Sequence, residues 1–196
     1  MPMPECTRIS IDDAAGRERL LADGWREIEV LQTWYGSRPG ALAVNTRLKV
    51  TYAGPYEHHY LRELAARSFR HDRLHADPTV AKADADDAKR MWVTNAMADD
   101  ARKVAFAQYG SEVTGLLIWK RTRTARDINT MVVDLLAVDE RYRRHDIATT
   151  LIAFGFDETG ARRIQAGTQS TNAAAIAFYK SLGMKLKSEQ RTFHRP

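Results

Sequence analysis

The most constraining feature of the sequence is an apolar run that leads into alternating helix and strand patterns. Residues 129–138 read NTMVVDLLAV, a near-continuous apolar stretch typical of a buried central strand. Residues 147–159 then predict a helix that ends at Gly160, and residues 163–167 predict a short strand. A strand, a helix and a second strand in this order predict a parallel pair joined by a right-handed crossover. The sequence therefore predicts a mixed α/β fold.

Other segments extend this unit on both sides. Strands are predicted at 47–53, 103–108 and 113–120, helices at 56–69, 81–98 and 172–182, and one or two strands at 184–193. A turn at 109–111 makes the middle two strands a hairpin, and 70–78 is predicted to be a polar loop. We expect the four strands between 47 and 138 to be mostly antiparallel.

The first break in the chain is the Gly- and Pro-containing segment 36–41. Before it, residues 12–22 predict a short helix and residues 25–35 predict a strand. We therefore predict a small N-terminal helix–strand appendage over 1–44 and one main domain over 45–196, which suits a chain of 196 residues.

Composition excludes several classes of protein. With 44% hydrophobic and 28% charged residues, the chain is neither disordered throughout nor fibrous. No apolar run approaches the roughly 18 residues of a membrane span, and the first residues do not form a secretory signal. The single cysteine, Cys6, cannot form an internal disulfide or the usual Cys/His zinc site, so we expect no metal and a cytoplasmic location.

The net charge of +5 is consistent either with solubility or with an anionic ligand such as a phosphate-bearing molecule. Nucleic-acid surfaces usually need a clustered basic stripe. Here the basic residues are spread along the chain, and the densest runs, 121–126 and 141–144, are short. We therefore expect no nucleic-acid partner.

The segment 132–148 carries the clearest chemical signal. A buried strand runs into a short basic loop and then into a helix start, which offers free backbone N–H groups and a positive dipole. This arrangement binds phosphate oxygens, and Arg143, Arg144 and His145 add polar or positive side chains. The alternative interpretation is a solvated basic turn.

A second signal lies in 168–183. Asn172 stands at the predicted start of a helix, and Tyr179 follows seven residues later on roughly the same face. Taken singly, Asn172 could be a helix cap and Tyr179 a core residue. Together, downstream of the strand–loop–helix unit, they favour a functional pair.

These residues resemble the GCN5-related N-acetyltransferases. That family has a Q/R-x-x-G-x-G/A loop after its fourth strand, and an Asn and a Tyr on a later helix. The loop here fits at Arg143 and Ala148 but has Asp146 in place of the usual Gly. The resemblance implies a central, mostly antiparallel sheet with a splayed parallel strand pair and flanking helices, and it implies acetyl-CoA as cofactor.

The resemblance also implies roles for individual residues. Backbone groups at the end of the central strand would pair with the pantetheine arm and polarise the thioester carbonyl. The loop would hold the pyrophosphate, Asn172 would bind the cofactor arm, and Tyr179 would donate a proton to the CoA sulfur. The cofactor-binding residues are thus Leu136, Ala137, Val138, Arg143, Arg144, His145, Asp146, Ile147, Ala148 and Asn172.

Two acidic residues have more than one interpretation. Asp134 lies in an otherwise apolar strand, so it is either the general base for the acceptor amine or a structural carboxylate bonded to Arg or Tyr. Asp146 either repels the pyrophosphate and crowds the backbone, or caps the following helix and points outward.

Within the superfamily, the segments 68–78, 92–96 and 167–172 and the tail 192–195 resemble dTDP-fucosamine acetyltransferase-like enzymes. The acceptor would then be a nucleotide-linked amino sugar, with Arg70, Arg73 and His75 as substrate-binding residues, since arginines suit a diphosphate. The alternatives are a hydrated loop with internal salt bridges, another small amine or peptide as acceptor, and a catalytically silent member that binds CoA or a partner. A homodimer is left open.

Overall fold

The computed structural model describes residues 3–123 and 129–195, so the basic run at 121–126 lies partly outside the described residues. The chain forms two compact units. The larger unit comprises Gly36–Phe69 and Asp86–Ala166, and the smaller comprises Met1–Tyr35, Arg70–Ala85 and Gly167–Pro196. Because each unit is assembled from separated segments, the predicted boundary between 44 and 45 stays a prediction.

The described residues combine eight strands with six helices, which confirms the predicted mixed α/β fold class. The strands are β1 (Glu5–Ser10), β2 (Arg26–Ser37), β3 (Lys49–Tyr52), β4 (Arg102–Tyr109), β5 (Glu112–Arg123), β6 (Asn129–Val138), β7 (Arg163–Gln169) and β8 (Lys185–Arg195). The helices are α1 (Ala14–Ala22), α2 (His58–Ser68), α3 (Arg73–Ala76), α4 (Lys82–Met97), α5 (Ile147–Thr159) and α6 (Ala173–Ser181), with a 3₁₀ turn at Glu140–Tyr142.

The larger unit is built on neighbouring strands in the order β3, β4, β5 and β6, all antiparallel as predicted. The first part of β7 pairs with β6 in parallel, from Thr130 opposite Arg163 to Val133 opposite Ala166. Helices α2 and α4 bury apolar side chains against one face of β4, β5 and β6. The pairing of β6 with β7 confirms the predicted parallel strand pair.

Helix α5 begins close to β5, because β5 has no side chain at the contact. A Cβ atom added at Gly115 would lie 2.6 Å from Cγ2 of Ile147 and 2.9 Å from Cδ1 of Leu151, closer than real contacts allow. Ile147 is 2% exposed. Gly115 thus permits the first turn of α5 to pack directly on the sheet, which fixes where that helix begins.

The smaller unit contains β8 paired on both sides with antiparallel strands, β1 and β2. The 184–193 pattern becomes one strand, Lys185–Arg195. Strand β1 was not predicted, because its sequence, ECTRIS, lies at an edge and buries little of its surface. It pairs with the far end of the chain, from Glu5 opposite Arg195 to Ser10 opposite Gln190.

The predicted polar loop at 70–78 contains the short helix α3. The side chain of Asp72 accepts a hydrogen bond from the backbone N–H of Leu74 at 3.1 Å, which is a side-chain N-cap. Four residues are too few to show helical periodicity, so only the cap could have signalled this turn.

In the described part of the chain, no helix is long and apolar enough to span a membrane.

Candidate functional site

In the larger unit, the candidate site begins at an irregularity in β6. Ile118 pairs with Leu135 and Trp119 pairs with Val133, so Asp134 is an extra residue that forms a bulge in β6. The pairing of β6 with β7 also ends at Val133. Beyond this point the described residues provide β6 with backbone partners only from β5. Leu136, Ala137 and Val138 therefore have one open backbone edge, as their predicted role requires.

The carboxylate of Asp134 is engaged by two cations. Its Oδ2 accepts a hydrogen bond from Nε of Arg102 at 2.8 Å, and its Oδ1 lies 3.9 Å from Nζ of Lys120. The hydrogen bond to Asp134 is the largest cause that raises the pKa of Arg102. These contacts favour the structural interpretation of Asp134, and its role as a general base stays a prediction.

Asp139, immediately after β6, anchors the start of the basic loop. Its side chain accepts hydrogen bonds from the backbone N–H of Arg141 at 3.0 Å and from the guanidinium of Arg67 at 2.6 Å. The side-chain hydrogen bond from Arg141 lowers the pKa of Asp139 to about 2, against the opposing effect of burial. Asp139 was not among the residues predicted from the sequence, although its position directly after a buried strand was a usable signal.

Two residues of the loop have left-handed backbone conformations. Arg144 has φ of 63° and Asp146 has φ of 56°. This region favours glycine, which explains physically why a glycine suits position 146 in the loop motif. The side chain of Asp146 is exposed, as the outward-pointing alternative predicted, but it makes no capping hydrogen bond.

The loop and the first turn of α5 present donors without partners. Among the hydrogen bonds of the described residues, none uses the backbone N–H groups of 144–149. The exposed guanidiniums of Arg143 and Arg144 likewise form no ion pair with any described residue. A set of N–H donors flanked by two cations fits a pyrophosphate, and the carboxylate of Asp146 opposes it.

In the smaller unit, Asn172 is the N-cap of α6. Its Oδ1 accepts a hydrogen bond from the backbone N–H of Ala175 at 3.1 Å. The Nδ2 donors of the same side chain have no partner among the described residues. The structure thus gives Asn172 the predicted cap and also leaves it able to donate hydrogen bonds to a ligand.

Tyr179 is buried on α6, with 6% of its surface exposed. Burial raises the pKa of its phenol to about 12, so the hydroxyl stays protonated at neutral pH. That hydroxyl donates a long hydrogen bond of 3.4 Å to the carbonyl of Gly167. The ring of Trp34, on β2, packs near the Tyr179 ring, with centroids 6.4 Å apart and the ring planes tilted by 47°. This contact between Trp34 and Tyr179 was not predicted from the sequence.

The predicted substrate-binding residues Arg73 and His75 contribute to a polar cluster inside the smaller unit. Nη1 of Arg73 donates to Nε2 of His194 at 2.9 Å, and Nδ1 of His194 donates to Oδ2 of Asp77 at 2.8 Å. Nδ1 of His75 lies 2.5 Å from Oδ2 of Asp72. Arg70 is exposed. For Arg73 and His75, the structure matches the alternative of a loop with internal polar contacts.

Burial determines the ionisation of this cluster. His194 is fully buried, and burial lowers the pKa of its imidazole, partly offset by the hydrogen bond with Asp77. Burial alone would raise the pKa of Asp77, but hydrogen bonds from Thr79, His194 and Arg26 outweigh it and lower that pKa. His194 is therefore neutral, with its proton on Nδ1 and a lone pair on Nε2 toward Arg73.

The structure thus places the predicted residues in two groups. The larger unit contains Asp134, the open edge at 136–138 and the loop at 143–148. The smaller unit contains Asn172 and Tyr179 on α6, and Arg70, Arg73 and His75 around α3. That the two groups serve one reaction stays a prediction.

Comparisons with known proteins agree with this architecture. A functionally unknown conserved protein from Staphylococcus epidermidis ATCC 12228 is similar with a TM-score of 0.71 and 15% identity, over 97% of this chain and 72% of that one. A GCN5-related N-acetyltransferase from Sphaerobacter thermophilus is similar with a TM-score of 0.63 and 13% identity, over 97% of this chain and 58% of that one. At these identities the likeness shows the fold alone.

A third similar structure is AAC(6')-Iy in complex with the bisubstrate analog CoA-S-monomethyl-acetylneamine. Its TM-score is 0.53 and its identity 14%, over 70% of this chain and 90% of that one. A search of curated proteins gave no match. The sequence itself matches the acetyltransferase (GNAT) family over residues 58–184. The chain therefore belongs to the acetyltransferase (GNAT) family, whose cofactor is acetyl-CoA.

Proposed function

We propose that this protein is an acetyl-CoA-dependent N-acetyltransferase that acts on the amine of a small acceptor. One observation carries the proposal: the N–H groups of 144–149, in the basic loop and the first turn of α5, have no hydrogen-bond partner among the described residues, and Arg143 and Arg144 flank them without an ion pair in that part of the chain. This donor set fits the pyrophosphate of coenzyme A. Family membership supports the same cofactor.

Acetyl-CoA supplies a thioester carbonyl that a neutral amine can attack directly, without a covalent enzyme intermediate. On this proposal the open edge of β6 at 136–138 hydrogen-bonds the pantetheine arm, and a backbone N–H there polarises the carbonyl. The Nδ2 group of Asn172, whose Oδ1 already caps α6, donates to the cofactor arm. The single cysteine, Cys6, has no part in this scheme.

Tyr179 is proposed as the proton donor to the departing thiolate. Its phenol carries a proton at neutral pH, and burial raises its pKa to about 12. Its present hydrogen bond, 3.4 Å to the carbonyl of Gly167, is long enough to be exchanged for a better acceptor at little cost. A thiolate, being anionic, is such an acceptor.

The narrower proposal is that the acceptor is a nucleotide-linked amino sugar. It rests on the sequence resemblance around 68–78 and on the two arginines there. Arg73 uses Nη1 to bind His194, which leaves its other donors for a diphosphate, and Arg70 is exposed. Another small amine or a peptide as acceptor is the alternative within the same reaction.

The test is a thiol-release assay with acetyl-CoA against nucleotide-linked amino sugars, the matching free amino sugars, other small amines and peptides. Thiol release with an amine, and a matching acetylated product, support the general proposal. CoA binding without turnover on any amine favours a catalytically silent member, and absence of CoA binding refutes the proposal.

The same assay tests whether the acceptor is a nucleotide-linked amino sugar. The nucleotide-linked sugar should react strongly in preference to the free sugar. Replacement of Arg70 and Arg73 by Ala should raise the acceptor KM by roughly 10²-fold or more, from two charge-assisted contacts. Equal reaction of free and nucleotide-linked sugar rejects the sugar nucleotide and leaves the acetyltransferase proposal intact.

A further inference from the structure

The loop before α5 adopts a conformation that its sequence does not favour. Arg144 and Asp146 both have positive φ, yet neither is glycine. Left-handed backbone is unfavourable for residues with a Cβ atom, although Asp tolerates it better than most. Other interactions must therefore hold this loop in place.

Three carbonyl groups of the loop are bound by side chains. Nδ1 of His145 donates to the carbonyl of Arg143 at 2.9 Å and shares this proton with the carbonyl of Tyr142 at 3.2 Å. Nδ2 of Asn45 donates to the carbonyl of His145 at 3.1 Å. Oγ1 of Thr150 donates to the carbonyl of Asp146 at 2.7 Å, beside the helical hydrogen bond of 2.8 Å from the backbone N–H of Thr150 to the same carbonyl. The loop is therefore held through its carbonyl oxygens.

Asn45 also connects two of these contacts. Its backbone N–H donates to Oγ1 of Thr150 at 2.9 Å, so the single hydroxyl proton is left for the carbonyl of Asp146. Its Oδ1 accepts a hydrogen bond from the backbone N–H of Arg47 at 3.0 Å, which fixes the amide with Nδ2 toward His145. Asn45 comes from the segment before β3, far from the loop in sequence.

Binding a carbonyl oxygen orients the N–H group of the same peptide. A trans peptide is planar, and its C=O and N–H point in opposite directions. Fixing the carbonyls of residues 143, 145 and 146 therefore fixes the N–H groups of Arg144, Asp146 and Ile147. These three N–H groups are among those with no hydrogen-bond partner in the described chain.

We propose that Asn45, His145 and Thr150 are positioning residues that aim the N–H groups of the loop at the pyrophosphate of coenzyme A, in place of the missing glycine. This inference rests on the proposed function. None of the three needs to touch the ligand, because each acts through a carbonyl on the opposite side of a peptide plane.

The test is the affinity for CoA, measured by calorimetry, in wild type, Asn45→Ala and Thr150→Val. Each variant should bind CoA roughly 3- to 10-fold more weakly, the range that corresponds to one net hydrogen bond. Thr150→Ser keeps the hydroxyl and should restore most of the affinity. With S-acetylpantetheine, which lacks the pyrophosphate, the KM should be the same in wild type and in both variants.

Asn129→Ala is the matched control. Nδ2 of Asn129 donates to the carbonyl of Thr159 at 2.8 Å, the same kind of contact at the opposite end of α5. Its loss should lower the melting temperature without changing CoA affinity. If Thr150→Val does not fold, the CoA affinity of Asn45→Ala decides the test.

The outcomes separate the two proposals. Unchanged CoA affinity in Asn45→Ala and Thr150→Val, with normal binding by wild type, overturns this inference alone. An equal loss of affinity in Asn129→Ala also overturns it, because the effect would then be general destabilisation. Absence of CoA binding by the wild type overturns both this inference and the proposed function.

Discussion

Asp146 adds a negative charge to the loop whose N–H groups are proposed to bind pyrophosphate, so removal of that charge should tighten CoA binding. Asp146→Asn is the informative substitution, because it removes the charge and keeps both the shape and the tolerance of positive φ. The side chain is exposed and makes no capping hydrogen bond, so its repulsion acts through a water-like dielectric.

In such a dielectric, two unit charges about 4 Å apart interact by about 1 kcal/mol. At tenfold per 1.4 kcal/mol, Asp146→Asn should bind CoA about fivefold more tightly than wild type at low ionic strength. The gain should shrink as salt is added, because these charges are screened. The free protein should become less stable by about 0.3–1 kcal/mol, since a negative charge at a helix N-terminus is favourable.

Asp146→Gly removes the charge and also the left-handed strain, which for Asp is smaller than the about 1–2 kcal/mol that it costs most residues with a Cβ atom. The greater flexibility of unfolded glycine offsets about 0.5–1 kcal/mol of that gain. Calorimetry with CoA at low and high ionic strength measures all three forms. Asp157→Asn, at the far end of α5 where the carboxylate pairs with Arg38, is the control for loss of one negative charge. Equal or weaker CoA binding by Asp146→Asn at low salt would refute the reasoning.

Three further substitutions test the proposed roles of Tyr179, Asp134 and His194. Tyr179→Phe should lower kcat by roughly 10²-fold with CoA affinity nearly unchanged, in steady-state kinetics and calorimetry, as expected for one general acid. Asp134→Asn should lower the free energy of unfolding by about 0.5–1.5 kcal/mol, because Arg102 loses one of its two carboxylate partners and keeps Asp99, and should leave the pH profile of kcat/KM unchanged; a lost acidic limb would instead identify a general base. His194→Gln should flatten the pH dependence of the melting temperature. The folded pKa of His194 lies below its ordinary value of 6.5, so wild-type stability is fully present above that pH and falls as the pH drops below it.

The elements around the cofactor loop were predictable because their signals are local. Strand β6 and helix α5 have the bounds that the apolar run and Gly160 predicted. Hydrophobic periodicity and a left-handed glycine at a helix end depend only on neighbouring residues. The loop motif between them likewise required no knowledge of distant contacts, and with Asn172 and Tyr179 it was enough to predict the family.

Tertiary structure alone decided which distant residues support these elements. Strand β1 has little pattern of its own and is ordered by pairing with β8 at the other end of the chain. His194 forms a hydrogen bond with Asp77, 117 residues away in sequence, and Asn45 donates one to the carbonyl of His145, 100 residues away. Such contacts are single hydrogen bonds to buried polar groups or to polar groups of loops. They produce no periodic pattern of residues, so the sequence does not predict them. The sequence therefore determined the central strand, the helix that follows it and the family. The hydrogen bond of Arg73 to His194, and the hydrogen bonds that hold the cofactor loop, were decided only by the folded chain, because they join residues far apart in sequence.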